Sequence, residues 1–176
     1  MPEGPLISEQ LDFFGATPKR IYKQPNYRRF TGDAFQHTVQ AQLAGKCGVR
    51  STQSPELSKS DLIAAVPVRA WVGGKKITFL KHLGIQARGQ ETSTGTFNFY
   101  GYKPHDFDIA AYGSTRAVAF NGGVPKRSSL SISNAKLLNP KFTQMSWESS
   151  VNTHLKMWVD IIQHPEFEGM EYDPLI

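Results

Sequence analysis

Residues 66–79, Val66-Pro67-Val68-Arg69-Ala70-Trp71-Val72-Gly73-Gly74-Lys75-Lys76-Ile77-Thr78-Phe79, decide the fold class. Val66, Val68, Ala70 and Val72 share one face of an extended chain, and Arg69 and Trp71 take the other. Gly73-Gly74 supplies two adjacent residues that tolerate positive φ, and Ile77 and Phe79 resume the alternation, so the stretch reads as a β-hairpin with a two-residue turn. Pro67 lacks an N–H, which predicts an edge position for the first arm, where another subunit could add.

Outward from the hairpin, the pattern stays that of short strands. Gly95–Tyr102 sets Phe97 and Phe99 against Asn98 and Tyr100. Arg116–Phe120 runs through Asn121-Gly122-Gly123, a second hairpin signal, into a strand expected over about 128–138. Phe35, His37, Val39, Ala41 and Leu43 alternate loosely, which predicts a half-buried strand over 35–43. Residues 50–62 have the Ser, Thr, Pro and Lys content of a surface loop. Val151–Gln163 fits both periods, Leu155, Met157, Val159 and Ile161 as a strand or Val151, Leu155, Trp158, Val159 and Ile162 as a helix; its neighbours favour the strand. Pro5, a helical spacing of Leu6, Ile7, Leu11 and Phe14, and then Gly15 predict a short helix over about 5–14. The expected fold is mainly β, a small antiparallel β-barrel or sandwich with a short N-terminal helix and a few short helical segments. One domain is expected over 1–176, with an N-terminal helix and basic arm at 1–30, a β core at 31–162 and an acidic tail at 163–176.

Leu, Ile, Val and Phe make up 42 of the 176 residues, enough to build a core and to set disorder aside. Cys47 is the single cysteine, which excludes an intrachain disulfide, a four-cysteine zinc site and a CxxC redox pair. The opening MPEGPLISEQLDFFG carries Glu3 and Glu9 and no basic start, and no apolar run approaches the roughly 18 residues of a membrane span. The reading is of a soluble chain without a membrane anchor.

No conventional catalytic pattern is present. The five histidines show no ligand spacing, and neither HExxH, GxSxG nor a Walker-type loop occurs. His105-Asp106-Phe107-Asp108 groups an imidazole with two carboxylates, but on a strand His105 faces away from both, and metal sites need convergent ligands. It reads as a polar connection after Pro104. No catalytic residue, metal or cofactor is therefore expected.

Charge is divided along the chain. Between Gly15 and Arg50 there are seven basic residues against Asp33 alone, whereas Asp160, Glu166, Glu168, Glu171 and Asp173 end the chain with no Lys or Arg among them. The basic segment interleaves Lys19, Arg20, Tyr22, Tyr27, Arg28 and Arg29, a composition that suits a subunit rim rich in Arg and Tyr. It also suits a nucleic-acid surface where cations meet phosphates and tyrosines stack on bases. The front-to-back asymmetry favours the first: a basic front and an acidic tail are complementary in head-to-tail association. The interface candidates are thus Lys19, Arg20, Tyr22, Tyr27, Arg28 and Arg29 with Glu166, Glu168, Glu171 and Asp173.

Two resemblances bear on function. MPEGPL resembles the start of formamidopyrimidine and endonuclease VIII-type DNA glycosylases; that likeness implies Pro2 as nucleophile and Glu3 as acid, and it covers six residues, with no zinc-finger cysteines behind it. The order LISEQLDFFG, KQPNYRRF, VPVRAWVGGKKITF and SLSISNAKLLNPKFTQMSWESSVNTHLKMWVDI is similar to that of the tube and baseplate-tube proteins of contractile-tailed bacteriophages. This second resemblance spans most of the chain, without an invariant motif. It implies a structural, non-catalytic virion component, assembled in the host cytoplasm into a ring, a hexamer if tube-like, that meets other tail proteins and passes DNA through its lumen. The tail Gln163–Ile176 and the basic balance depart from that pattern, which leaves tube, baseplate, neck and terminator roles open.

Overall fold

The computed structural model describes residues 25–56, 58–90, 95–125, 129–132, 141–162 and 166–174, with the backbone path alone for 25–31, 132, 161 and 162. The expected helix at 5–14 lies outside the described residues. The 66–79 hairpin forms as read: β2 (Leu62–Val72) turns into β3 (Lys75–Gly89) through Gly73 at φ 55° and Gly74 at φ 76°. Positive φ at both central residues is what a type I′ turn requires, and it lets the right-handed twist of the two strands continue through the turn. Leu62, Ala64, Val66, Val68 and Ala70 all point into the core.

β2 is not an edge strand. On the side away from β3 it is flanked by two short strands, β1 (Ser51–Gln53) opposite Leu62–Ala64 and β8 (Phe167–Tyr172) opposite Val68–Val72. Pro67 sits between them. Its carbonyl accepts a bond from the Asp173 N–H on that side, and a strand residue points its N and O the same way, so the absent N–H falls in the gap between β1 and the last residue of β8. The proline rule is obeyed locally inside an interior strand.

β3 changes partner half-way. It pairs β2 up to Ile85 and then runs parallel to β5 (Ile109–Ser114) from Ile85 to Gly89; β6 (Ala117–Gly122) closes the row as the antiparallel partner of β5. The sheet order is β1-β2-β3-β5-β6 with β8 beside β2, and β4 (Gly95–Asn98) and β7 (Ser129–Ile132) form a separate two-stranded ribbon. The protein is mainly β, the sheet is mixed, and no closed barrel forms among the described residues.

Three expectations are corrected. Residues 35–43 lie in helix α1 (Pro25–Cys47), where Phe35, Val39 and Leu43 recur every fourth residue and are buried, while His37 and Ala41 face solvent. The loose alternation was completed by His37 and Ala41, which bury nothing. Val151–Ile162 lies in helix α2 (Phe142–Ile162), whose inward stripe is Trp147, Val151 and Leu155 while Met157 stays exposed. Asn121-Gly122-Gly123 is not a hairpin turn: β6 pairs with β5 across Thr115-Arg116, and β7 pairs with β4. A Cβ at Gly122 would lie 2.6 Å from the Ser150 carbonyl oxygen, so this glycine lets α2 approach β6. Two long helices thus stand where a few short segments were expected.

α1 and α2 cover one face of the sheet over a core that includes Phe35, Leu43, Leu62, Val66, Leu83, Ile85, Trp147 and Leu155. Phe97 and Phe99 of the alternating GTFNFYGY stretch point inward as expected, and Asn98 and Tyr100 outward. They meet Phe107, Ala110, Tyr112 and Ala119 in a second cluster. Every residue of β5 is consequently buried, in a chain region three layers thick.

At the end of α1, burial pushes the Cys47 thiol up to about 12, with the Glu148 carboxylate adding to the shift. Almost no thiolate exists near pH 8, and the thiolate is the reactive form. The folded protein is expected to release essentially no thionitrobenzoate from Ellman's reagent over an hour at pH 8, and one equivalent after denaturation. Rapid release from the folded chain would mean that the end of α1 opens.

Candidate functional site

Of the basic candidates, Lys19, Arg20 and Tyr22 lie outside the described residues. Tyr27, Arg28 and Arg29 belong to the first turns of α1.

The acidic candidates fall on and beside β8. Arg69 of β2 meets Glu171 at 3.0 Å and Asp173 at 3.5 Å, pairs that close the β2–β8 register Val68↔Tyr172 and Arg69↔Glu171. Glu171 and Asp173 therefore serve first to dock the tail on its own strand. Glu166 and Glu168 are exposed, and a hollow of about 510 Å³ runs along β8 between Trp71, Glu168 and Lys156 of α2.

The hairpin end of the sheet carries the main exposed feature. From Lys75 to Leu83, β3 has β2 on one side and no strand partner among the described residues on the other, because β5 joins only at Ile85. Ile77, Phe79 and Leu80 stay exposed there, Leu80 at 65 %, and Trp71 is exposed on β2 beside them. Register places Lys75, Ile77, Phe79 and Lys81 on the face that also holds Leu83 and Ile85, the helix-covered side. Accordingly the Lys81 ammonium sits 3.7 Å over the Trp158 ring of α2.

A second grouping joins distant residues that the sequence did not connect. The Asp108 backbone N–H donates to the Gly84 carbonyl at 2.9 Å, and the Gly84 N–H donates to Asp108 Oδ2 at 2.8 Å. So clamped, Asp108 holds its Oδ1 3.5 Å from Nε2 of His154, an imidazole that is 4 % exposed and borders a hollow of about 240 Å³ with Phe107, Pro125 and Met157. Asp106 turns instead to the Lys103 N–H and the Lys59 ammonium, both of which hold its carboxyl below the usual range, the N–H most strongly. His105 is strained at φ 72°. Among the described residues no three His, Cys, Asp or Glu side chains converge as metal ligands.

Comparison with family models, with curated proteins and with solved structures finds no match. The functional reading therefore rests on the chain's own geometry.

Burial lowers the His154 imidazole below its ordinary 6.5; the Asp108 carboxylate opposes this, and Lys81 and His105 add to it. A lowered value in the fold means that below 6.5 the unfolded chain binds more protons than the native one. The stability held by neutral His154 is complete above that pH and is lost as pH falls toward the folded value. Between pH 7 and 5 the wild type is expected to lose more urea stability than His154→Gln. Equal losses in the two proteins would show that His154 does not couple protonation to folding.

Proposed function

We propose that this chain is a structural protein that works by self-assembly, a component of a virion tail or a related injection machine. The observation that carries the assembly reading is the edge of β3 from Lys75 to Leu83, which has no second strand partner among the described residues and along which Ile77, Phe79 and Leu80 are exposed. A long strand edge with apolar side chains is a template for pairing with another chain, and a monomeric protein normally shortens, covers or bends such an edge. The virion context rests on the sequence resemblance to contractile-tail tube proteins; of its stretches, VPVRAWVGGKKITF forms the hairpin, whereas KQPNYRRF runs into helix α1 and FTQMSWESSVNTHLKMWVDI forms helix α2. In this reading the chain performs no chemistry, forms a ring in the host cytoplasm, contacts other tail proteins and lets DNA pass. The small barrel expected from the sequence is then completed between copies.

Light scattering on a sizing column, followed by negative-stain microscopy, tests the reading. Particles at multiples of 19.6 kDa that image as rings or tubes are expected. A 19.6 kDa monomer at every concentration would overturn self-assembly. The salt dependence of binding to single-stranded DNA would then be the next measurement, since phosphate contacts make affinity fall steeply with salt.

A further inference from the structure

We propose that β8 of one copy adds to the free edge of β3 in the next, extending the sheet head to tail through a parallel strand pair. This rests on the self-assembly reading and names the joint. Across the hairpin end the strands lie in the order β8-β2-β3, and β8 has no strand partner but β2 among the described residues. Among the described residues each copy thus presents two edges without a second strand partner, one on either side of the same narrow end; on β8 the Tyr172 N–H is already held by Asn152 Oδ1 of α2, so its open stretch is Phe167–Met170.

Register places those edges at the same level. Val68 pairs with both Phe79 and Tyr172, and Val72 with both Lys75 and Phe167, so Lys75–Phe79 and Phe167–Tyr172 lie side by side across β2. Both strands are antiparallel to β2 and so run in the same direction. A neighbour displaced sideways, with no shift along the strands, brings its β8 against Lys75–Phe79 in parallel. The sheet is three strands wide at this level and five at the level of Leu62 and Ile85, so copies joined at the narrow end turn relative to one another and the row curves.

Charge selects this pairing over the alternative. The β3 edge carries Lys75, Lys76 and Lys81 and no acid, whereas Glu168 lies on β8 and Glu166 just before it; Glu171, also on β8, is already paired with Arg69 of β2. An antiparallel pairing of β3 with itself, centred on Thr78, sets Lys75 against Lys81 twice, and like charges directly opposite are unfavourable. Lysines on an exposed edge ordinarily block pairing with another copy of that edge; they do not block an acidic strand. A heterologous contact of this kind closes into rings or continues as a filament.

Charge reversal tests the joint. Lys75→Glu with Lys76→Glu, and separately Glu166→Lys with Glu168→Lys, are expected to raise the protein concentration for half-assembly at low salt by about tenfold or more. The chain carrying all four changes should return to near the wild-type value, because its own copies are again complementary. That rescue also shows that the single pairs had not simply misfolded. Assembly unchanged by both pairs, in a wild type that does assemble, would overturn the joint and leave the self-assembly reading standing. Stronger assembly by the β3 reversal would assign the edge to antiparallel β3 pairing instead. A wild type that stays monomeric would remove both.

Discussion

Gly113→Ala is expected to cost about 3–5 kcal/mol of folding stability, because two penalties coincide at one residue. Gly113 sits in β5 at φ 142°, in a region that side chains rarely enter, and a Cβ built there would lie 2.1 Å from the Ala117 carbonyl oxygen. That oxygen belongs to the backbone of β6, which is paired with β5 from Ser114↔Ala117 onward, so it cannot move aside without opening the hairpin. Domains of this size are stable by only about 5–15 kcal/mol, so the substitution removes a large share of the total. Gly101 is the control, with φ 83° and nothing within 4 Å of a Cβ; Gly101→Ala carries the backbone penalty alone, about 1–2 kcal/mol. Urea midpoints of the two variants check the argument. Equal losses would show that the β6 carbonyl gives way and that the contact is not what fixes the glycine.

The same contrast between local and long-range causes explains how far the sequence could be read. The 66–79 hairpin was legible because its turn chemistry and both strand patterns lie within fourteen residues, and the inward turn of Phe97 and Phe99 was legible for the same reason. The 35–43 stretch of α1 imitates a strand because Ala41 and His37 fall between larger apolar residues and complete a period of two, although within it only Phe35, Val39 and Leu43 are buried. α2 was misread through Met157 and Val159, which complete a strand pattern while contributing little to the core. Pairing was harder still. The contact of Arg69 with Glu171 spans 102 positions, and the parallel step from β3 to β5 follows an intervening ribbon strand, β4, so neither leaves a local trace. The acidic tail was visible as composition, but its docking on β2 was not. Nor was the free edge of β3, which exists because β5 joins that strand only at Ile85. Asp108 and His154 drew no attention as a pair for a related reason: the sequence places one after a proline turn and the other on a helix, and Gly84 holds the carboxylate from a third element.

Trp147→Ala is expected to cost about 3–5 kcal/mol, a loss comparable with that at Gly113. Trp147 is fully buried on α2 and meets the ring of Phe120 on β6 edge-on, with centroids 5.1 Å apart and planes at 71°. It is packed in the same core as Val151 and Leu155 of its own helix and Phe35 and Leu43 of α1, so its removal leaves a cavity lined from both helices and the sheet. Those walls are backbone-anchored and cannot collapse fully, which is why the cavity adds to the lost transfer free energy. Trp158 is the internal comparison. It lies on the same helix but is 37 % exposed, with the Lys81 ammonium over its ring, and Trp158→Ala should cost about 1 kcal/mol or less through the lost cation–π contact. Urea unfolding followed by circular dichroism separates the two. Near-equal midpoints would mean that α2 does not seat Trp147 against β6; the expected inequality would leave Trp158, at the β3 edge, free to change assembly without changing the fold that presents it.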